Sequence, residues 1–209
     1  IARMFSFDQK FIVIDTETEG LNLRYSNPWE VSYLEACGKK ILKRKQIYID
    51  VPNLNLSPFI RKLTGFDEDK YNKLKVPAQE AWAEIEKVIY DETFLIIGQN
   101  ILKFDIFMLN QLCRNATGKE INFSFLDRIL DTRYLALAAK NDIAKPRDGN
   151  FLNWSYKIGS DPKIKGKVSQ LVLLKDFGIK FDPEKLHDGL YDCEKLWEIF
   201  CELKSCLKL

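Results

Sequence analysis

FIVIDTETEGL, at residues 11–21, is a short unbroken apolar run that ends abruptly in acidic residues. The run Phe11–Ile14 predicts a β-strand that is buried on both faces and therefore lies inside a sheet. Because side chains alternate along a strand, Asp15 and Glu17 would point to the same side where the strand leaves the core. Two carboxylates this close repel each other unless a cation lies between them, which indicates a divalent metal site. Asp-x-Glu is also a common tripeptide in a chain with 30 acidic residues, so the pair alone does not establish a site.

Length and composition favour a single domain. The chain has 209 residues, of which 46% are apolar, and we expect one α/β domain over residues 1–209. It has no apolar run of the roughly 18 residues that a membrane span needs, and its first residues lack a signal-peptide pattern. We therefore expect a soluble, cytoplasmic protein with no membrane partner. Its five cysteines include no C-x-x-C pair, which indicates reduced thiols and fits that compartment.

Two groups of basic residues raise the question of a polyanionic partner, although the net charge is only +2. One group lies within residues 39–45, and the other lies within residues 157–167, close to Trp154 and Tyr156. Cations near aromatic rings suit a nucleic-acid strand, because cations pair with its phosphates and rings stack on its bases. The same residues also suit ordinary solvated loops, and the sequence leaves both interpretations open.

The segment after the acidic residues predicts an antiparallel pair of strands. Val31–Cys37 and Ile41–Val51 both show strand patterns, and residues 38–40 between them give a tight reversal. A longer helix begins at Pro77, because proline is favoured in the first helical turn. Its apolar residues recur at helical spacing and would pack against the sheet.

A second unbroken apolar run, Phe94–Ile97, predicts another interior strand that stops at a glycine. A helix over residues 104–115 follows, with Asp105 in its first turn and Phe107 on its predicted buried stripe. The first turn favours an acidic residue, because it faces unpaired amides and the positive end of the helix dipole. Strand ends of an open α/β sheet also gather at one edge, which would place Asp105 beside the acidic pair of the first strand.

The middle of the chain combines a short helix with a long segment that lacks apolar periodicity. Asp131 and Thr132 begin a helix that runs to Ala139, and we interpret Asp131 as its N-cap. Residues 141–167 mix proline, glycine, lysine and aromatic residues without a regular pattern. A stretch of this length is mobile or functional, and we interpret it as a surface insertion near the active face.

The last third of the chain carries a second group of candidate residues. His187, the only histidine of the chain, lies in the loop before the final helix, and Asp192 follows it within that helix. There it could reach over a site to which Asp192 contributes, although a lone histidine is more often structural. The helix predicted over residues 168–177 contains QLVLL at residues 170–174, which resembles a peptide that binds sliding clamps. Inside a helix, these leucines favour core packing instead.

Three motifs, taken in order, resemble those of a known family. They are DTETEGL at residues 15–21, GQN at residues 98–100 together with Asp105, and His187 followed by Asp192. Each motif stands at the end of the expected kind of element. Together they resemble the motifs of the DnaQ-like exonucleases with histidine in the third motif, the DEDDh group. The resemblance covers the chain from about Phe11 to Phe200.

The resemblance implies an α/β protein with an RNase H-like fold, a mixed five-stranded central sheet flanked by helices. It also implies an enzyme that removes nucleotides from 3′ ends with two divalent metal ions, Mg²⁺ or Mn²⁺. The implied metal ligands are Asp15, Glu17, Asp105 and Asp192. His187 is the implied general base, since a neutral imidazole can accept a proton from the attacking water near pH 7. We interpret the neighbouring Asp188 as a helix cap.

The resemblance further implies substrate-binding residues around the 3′-terminal nucleotide. They are Thr16, Thr18, Leu21, Asn100 and Phe104. The two threonines would act through their backbone, and Leu21 would wedge against the terminal base, although a core position for this leucine is equally open.

The sequence departs from the usual pattern of this family at two positions. Glu19 stands where a small hydroxyl residue is usual, and Gln99 stands where histidine is frequent. Neither residue belongs to the implied ligand set. The departures therefore put the substrate specificity in doubt rather than the activity.

Three functions are compatible with these motifs. The first is a 3′-to-5′ deoxyribonuclease of proofreading, repair or phage-type DNA metabolism, which acts on single-stranded 3′ ends, releases nucleoside 5′-monophosphates and has a replication or repair protein as a candidate partner. The second is a 3′-to-5′ exoribonuclease, because the choice of sugar depends on contacts near the 2′-hydroxyl that sequence does not reveal. The third is a catalytically silent RNase H-like binding module. A silent module would lack a ligand or the base, whereas all of the implied positions are filled here.

Overall fold

The central sheet contains five strands, both parallel and antiparallel, as the resemblance implied. The computed structural model describes residues 5, 6 and 8–209 of the chain. The strands are β1 at Lys10–Thr18, β2 at Pro28–Cys37, β3 at Lys40–Tyr48, β4 at Phe94–Gly98 and β5 at Ile129–Asp131. Their order in the sheet is β3-β2-β1-β4-β5. β2 is antiparallel to both β1 and β3, whereas β4 is parallel to both β1 and β5.

Helices cover both faces of this sheet. The α-helices of the described residues are α1 at Pro58–Thr64, α2 at Glu68–Leu74, α3 at Ala78–Ile89, α4 at Asp105–Thr117, α5 at Thr132–Lys140, α6 at Phe151–Ser160, α7 at Gln170–Asp176 and α8 at Gly189–Cys206. One hydrophobic core lies between the sheet and α3 and α4, and a second lies between the sheet and α5 to α8. This arrangement confirms the predicted α/β fold class. None of these helices combines the length and the apolarity that crossing a bilayer requires.

β1 occupies the centre of the sheet because it is apolar on both faces. Its side chains alternate between the two cores: Ile12 and Ile14 pack into the first, and Phe11 and Val13 pack into the second. All four are buried, as the unbroken apolar run predicted. Because both faces of the strand are apolar, helices pack against both of them. The polar end of the strand lies at the edge of the sheet.

The hairpin of β2 and β3 forms as predicted, with one difference in length. The turn between the strands contains Gly38, whose φ of 61° is left-handed and favours glycine. β3 ends at Tyr48 rather than Val51, because Ile49 makes only a single bridge, to Val76. Lys43 and Arg44 of the basic group at residues 39–45 are engaged in ion pairs with glutamates.

Residues 141–167, which show no regular apolar pattern in the sequence, contain the helix α6. Asn150 caps this helix by accepting a hydrogen bond from the Asn153 N–H at 2.9 Å. Phe151 and Ile158 are buried in the second core, at a spacing that puts them on one helical face. The helix has few buried apolar residues and contains Gly159 near its end. Its helical period was therefore not recognised in the sequence. The interpretation of the whole segment as an insertion stays a prediction, as does that of a single domain.

Two further differences concern helices near the active face. α2 was not predicted, because only Tyr71 of its seven residues is buried and an apolar stripe is therefore absent from it. In α4, Phe107 is 37% exposed rather than buried. The buried face of that helix instead carries Asp105, Met108 and Leu112. Phe107 lies off this stripe, on the side that faces solvent.

Candidate active site

The carboxyl end of β1 brings the first two predicted ligands to the edge of the sheet. Asp15 and Glu17 are partly buried and alternate with Thr16 and Thr18, which are buried. Across the β1–β2 ladder, Glu17 stands in register with Glu30. The two-residue period of the strand therefore places both carboxylates on the same side, as predicted.

Asp105 reaches this edge from the start of α4. Its side chain is 4% exposed, and its Oδ1 accepts a hydrogen bond of 2.7 Å from the Thr16 hydroxyl. This bond links α4 directly to β1. After burial, the charge of Asp105 is the largest contribution that raises the pKa of Asp15. The structure therefore brings Asp105 beside the acidic pair, as the gathering of strand ends predicted.

The third motif closes the site from α8. Asp188 caps α8 by accepting a hydrogen bond from the Tyr191 N–H, which confirms its interpretation as a cap. Asp192 lies in the first turn, and its Oδ2 accepts a hydrogen bond of 2.9 Å from the backbone N–H of His187. His187 has a φ of 70°, an uncommon conformation for a residue with a side chain. The loop is thus held in a specific turn that presents the imidazole.

Glu17, His187 and Asp192 form a compact group. Each offers one ligand atom, and these atoms all lie within 4.8 Å of one another. Within the described part of the chain, Asp15 and Asp105 are not members of this group. The charge of Asp105 nevertheless raises the pKa of Glu17, and the charges of Glu17 and Asp192 raise the pKa of Asp15. The structure thus brings all of the predicted ligands to one edge of the sheet and places three of the candidate donors closest together.

The electrostatics of the site reflect carboxylates that lack a neutralising partner. Burial raises the pKa of Asp105 and of Asp192 to about 7. Burial also raises the pKa of Asp15 and of Glu17 well above their usual values, and the neighbouring carboxylates raise both further. In the described residues, the ion pairs between side chains do not include these four groups. Oxygen donors with this excess of negative charge fit a hard divalent cation such as Mg²⁺.

The pKa of His187 shifts in the opposite direction, because partial burial lowers it from its usual value. Its side chain is nevertheless exposed at the mouth of the site. The imidazole is therefore neutral at pH 7 and able to accept a proton.

The predicted substrate-binding residues differ in their burial and in their hydrogen bonds. The Thr16 hydroxyl donates to Asp105 and the Thr18 hydroxyl donates to the Gly20 carbonyl, both at 2.7 Å, so both side chains are engaged within the chain. Leu21 is 85% exposed, which excludes a core position for this side chain.

The turn after β4 carries the remaining two predicted substrate residues. Asn100 has a φ of 59°, and its buried Oδ1 has no hydrogen-bond partner among the described residues. Phe104 is partly buried immediately before α4. A buried acceptor without a partner is uncommon in folded proteins.

The two departures from the family pattern have structural roles in this chain. Glu19 accepts hydrogen bonds from the Asn27 N–H and side chain and from the Asn55 N–H, so it ties the loop after β1 to its neighbours. Gln99 donates to the Val168 carbonyl at 2.7 Å and accepts from the Thr132 hydroxyl at 2.6 Å. Both side chains are therefore held by hydrogen bonds to other parts of the chain.

The segment that resembles a clamp-binding peptide also supports the site. Leu173 and Leu174 of α7 are buried in the second core, which confirms core packing for them, whereas the prediction was wrong for Leu171, which is 41% exposed. Gln170 donates a hydrogen bond of 3.0 Å to the backbone carbonyl of Asp192. α7 therefore contacts the turn of α8 that carries the third motif.

Sequence reasoning missed one acidic residue of this region and gave another only part of its role. Glu30 is buried on β2 opposite Glu17, and the sign available in the sequence was an acid within an otherwise apolar strand. Asp131 caps α5 as predicted, but it also accepts hydrogen bonds from the backbone N–H groups of Asn100 and Leu102. These contacts join segments that are distant in sequence, so no local pattern reports them.

The fold and the carboxylate cluster together define the class of the protein, an RNase H-like nuclease. Residues 12–200 match the RNase_T family model, described as Exonuclease. This match covers most of the chain, and the chain therefore belongs to this exonuclease family. The family predicted from the three motifs is thereby confirmed.

Known proteins similar to this chain agree with that family. Ribonuclease T of Haemophilus ducreyi is 25% identical over 205 residues, which are 94% of this chain and 86% of that protein. The structure of E. coli Exonuclease I in complex with a dA16 oligonucleotide has a TM-score of 0.72 at 14% identity, over 94% of this chain and 41% of that chain. A zinc-bound form of the E. coli Exonuclease I complex with single-stranded DNA has a TM-score of 0.70 at 15% identity, over the same shares. This chain thus spans less than half of Exonuclease I, and at these identities the likeness shows the fold.

Proposed function

We propose that this chain is a metal-dependent 3′-to-5′ exonuclease that releases nucleoside 5′-monophosphates from single-stranded 3′ ends. The observation that carries the proposal is the convergence of Asp15, Glu17, Asp105 and Asp192 with an exposed His187 at the carboxyl end of the central strand. Cytoplasmic action and a replication or repair protein as partner remain predictions of this proposal.

The four carboxylates would hold two divalent ions, Mg²⁺ or Mn²⁺. When bound, such ions neutralise the phosphate and lower the pKa of water, which supplies a nucleophile near neutral pH. The contribution of the chain is to hold the donors in place. Thr16 fixes Asp105 by the hydrogen bond of its hydroxyl, and the N–H of His187 fixes Asp192.

His187 would act as the general base. Its side chain is exposed beside Glu17 and Asp192, and its lowered pKa keeps the imidazole neutral at pH 7. It can therefore accept the proton of the attacking water without first losing one of its own. Its position within the three-residue group also suits a metal ligand. Metal binding is therefore the alternative to a role as general base.

Substitution of His187 by alanine distinguishes these two roles. If His187 is the base, we expect kcat to fall by about 10²- to 10⁴-fold while the affinity for Mn²⁺ changes little. If it is a ligand, the affinity for Mn²⁺ falls together with the rate. Isothermal titration with Mn²⁺ and single-turnover kinetics on one preparation measure both quantities, and a variant with the wild-type rate would contradict either role.

The sugar of the substrate is the open choice within this function. DNA is the substrate we favour, and RNA is the alternative, which similarity to Ribonuclease T over most of both chains supports. Leu21, which is 85% exposed, and Asn100, which lies in the turn after β4, are the side chains that we expect to contact the terminal nucleotide.

A gel time course tests the proposal and the choice of sugar together. Matched single-stranded DNA and RNA oligonucleotides, labelled at the 5′ end, are incubated with Mg²⁺, Mn²⁺ or EDTA. We expect a ladder that shortens from the 3′ end with either metal and no cleavage in EDTA, and the faster strand identifies the sugar. Internal cleavage, release of the 5′ label as a mononucleotide while long products are absent, or activity in EDTA would contradict the proposal.

A further inference from the structure

Glu30 is a buried carboxyl beside the active site that has no part in the proposed reaction. Its residue is 3% exposed on β2, in register with Glu17 of β1. Burial raises its pKa, and the charge of Asp188 raises it further, whereas hydrogen bonds from Ser32 and Gln46 lower it. Burying an acid is unfavourable unless its contacts compensate, so these contacts indicate what the residue does.

One oxygen of Glu30 contacts the start of α8. Glu30 Oε1 accepts hydrogen bonds of 2.7 Å from the Ser32 hydroxyl and 3.1 Å from the Gln46 side-chain amide. The same oxygen lies against Gly189, where an added Cβ would come within 2.5 Å of it and within 3.0 Å of the Ser32 Oγ. Two donors hold the oxygen in place, so the helix start rests on a fixed polar surface.

Close approach, rather than backbone conformation, is what requires glycine at position 189. Gly189 does not have the positive φ that several other glycines of the described residues have. An alanine there would be unstrained in itself but would meet Glu30 Oε1. The absence of a side chain therefore lets α8 approach β2 closely enough to touch the carboxylate.

The contact lies directly behind the turn that carries the histidine. His187 and Asp188 precede Gly189, and Asp188 caps the helix that Gly189 begins. Glu30, His187 and Asp188 line the same cavity of about 220 Å³, together with Lys70, the cation on this side. A change at Glu30 would therefore be transmitted to His187 over only two residues of backbone.

We propose that Glu30 is a positioning residue that seats the His187–Gly189 turn and thereby places the imidazole over the carboxylate cluster. This inference rests on the proposed function, because placement of His187 matters for the rate only if His187 takes part in hydrolysis. Because its residue is only 3% exposed, Glu30 would act through this turn rather than by contact with the substrate.

The first test measures the environment of the His187 ring and does not require enzymatic activity. His187 is the only histidine of the chain, so labelling histidine with ¹³C at Cε1 gives one ring signal. We expect a single sharp signal in the wild type, and a displaced or broadened signal in Glu30→Ala. Glu35→Ala is the matched control, because Glu35 lies on the same strand but pairs with Lys43 at 3.5 Å. A signal in Glu30→Ala that coincides with the wild-type signal would overturn the proposal.

A second variant keeps this test decisive if Glu30→Ala does not fold. Glu30→Gln retains a side-chain oxygen that can accept from Ser32, and circular dichroism checks that the variant is folded. Its amide group carries no charge, so the two hydrogen bonds that Oε1 accepts from Ser32 and Gln46 would be weaker in the variant. We expect a smaller displacement of the His187 signal in Glu30→Gln than in Glu30→Ala, and an unchanged signal in the folded Gln variant would overturn the proposal in the same way.

The second test is a double-mutant cycle with the histidine. With 5′-labelled oligonucleotide, we expect Glu30→Gln to lower kcat about tenfold with KM nearly unchanged, as misplacement of a general base predicts. In a His187→Ala background the same substitution should have no further effect on kcat. An equal loss in both backgrounds would show that Glu30 acts through another group, which would overturn the proposal.

Gly189→Ala tests the same contact by changing its other residue. Its Cβ would displace the carboxylate, so we expect a loss of kcat similar to that of Glu30→Gln. The loss should be smaller when Glu30→Ala removes the obstructing oxygen, and additive losses would contradict the contact. If the wild type fails to cleave any oligonucleotide, the proposed function falls, while the ring signal of His187 still decides the role of Glu30.

Discussion

Asp15 is the residue at which the apolar interior of β1 meets the acidic edge of the sheet. Its pKa is raised by burial first and by Asp105 and Glu17 next, so its charge is kept at a cost to stability. Ionisable residues that are kept although they lower the stability of the fold are typical of functional sites. The same reasoning applies to Glu17, which lies two positions further along the strand.

Asp15→Asn should separate the cost to stability from the benefit to activity. We expect hydrolysis to fall by at least about a thousandfold, because the site loses charge that would hold a cation. The melting temperature of the metal-free protein should stay the same or rise, since one repelling carboxylate is removed. Oligonucleotide cleavage and calorimetry measure the two effects, with Asp127→Asn on an exposed position as control. Wild-type cleavage by Asp15→Asn would show that the ligand assignment is wrong.

Leu21 offers a prediction in which only binding changes. The side chain is 85% exposed, so Leu21→Ala should alter the free energy of unfolding by less than about 0.5 kcal/mol. If it wedges against the terminal base, KM should rise by about threefold to tenfold, which corresponds to roughly 1 kcal/mol of lost contact. Steady-state kinetics on a short oligonucleotide measure this, and an unchanged KM would remove Leu21 from the substrate site.

At the scale of elements, the turn between β4 and α4 depends on a residue of β5. Asp131 Oδ1 accepts from the Asn100 and Arg133 N–H groups, both at 2.9 Å, and its Oδ2 accepts from the Leu102 N–H at 3.1 Å. One carboxylate thus satisfies N–H groups from two elements. Its pKa is raised to about 6 by burial, with these hydrogen bonds acting in the opposite direction.

Asp131→Ala should loosen this turn as well as the cap of α5. We expect a loss of about 2 to 4 kcal/mol in the free energy of unfolding, because buried N–H groups lose their acceptor. Activity should fall as well, since Asp105 follows the turn. Urea denaturation measures the loss, and Asp148→Ala serves as control because Asp148 accepts only the Asn150 N–H in an exposed loop. A loss equal to that of the control would mean that the Asp131 contacts contribute little.

α6 gives an element-scale test of the segment at residues 141–167. Ile158 is buried in the second core, whereas Tyr156 on the same helix is 74% exposed. Ile158→Ala should therefore cost about 2 to 4 kcal/mol of unfolding free energy, and Tyr156→Ala should cost less than about 0.5 kcal/mol. Equal effects in urea denaturation would indicate a loosely attached segment, as the sequence pattern alone suggested.

At the scale of the whole molecule, the site joins parts of the chain that lie far apart in sequence. β1, α4 and α8 each contribute carboxylates, and each contribution is fixed by a contact within or between these elements. Because an unfolded chain cannot gather these ligands, a cation that binds them stabilises the folded state.

Stability should therefore depend on both pH and metal. Asp105 and Asp192 have pKa values of about 7 when folded, above the usual value of about 4. Between these values the folded state binds more protons than the unfolded state, so the unfolding free energy of the metal-free protein falls as pH rises from about 4 to 7. We expect Mg²⁺ at 100 times its Kd to restore about 2.7 kcal/mol at pH 8.

Thermal melts in EDTA and in Mg²⁺ across pH 5 to 8 measure this dependence. Asp192→Asn should flatten the pH dependence in EDTA and weaken the effect of Mg²⁺. A melting temperature at pH 8 that does not respond to Mg²⁺ would contradict the metal site.

The central strand of the fold and the candidate ligands could both be predicted from the sequence. The apolar run Phe11–Ile14 predicts an interior strand because both of its faces are apolar, and the structure confirms it. The ends of β1 and β4 and the entry to α8 carry the three motifs, so the residues of the candidate site could be named in advance. These signals are local, since strand alternation and helix capping act within a few residues.

Which of these residues meet, and which contacts hold them, could be learned only from the folded protein. The contact of Glu30 with Gly189 and the hydrogen bonds of Asp131 to the turn after β4 join residues from different elements. The place of α6 likewise depended on a core formed by distant helices. Burial also set the raised pKa values of the acidic cluster, because desolvation depends on everything that packs around a group rather than on its neighbours in sequence.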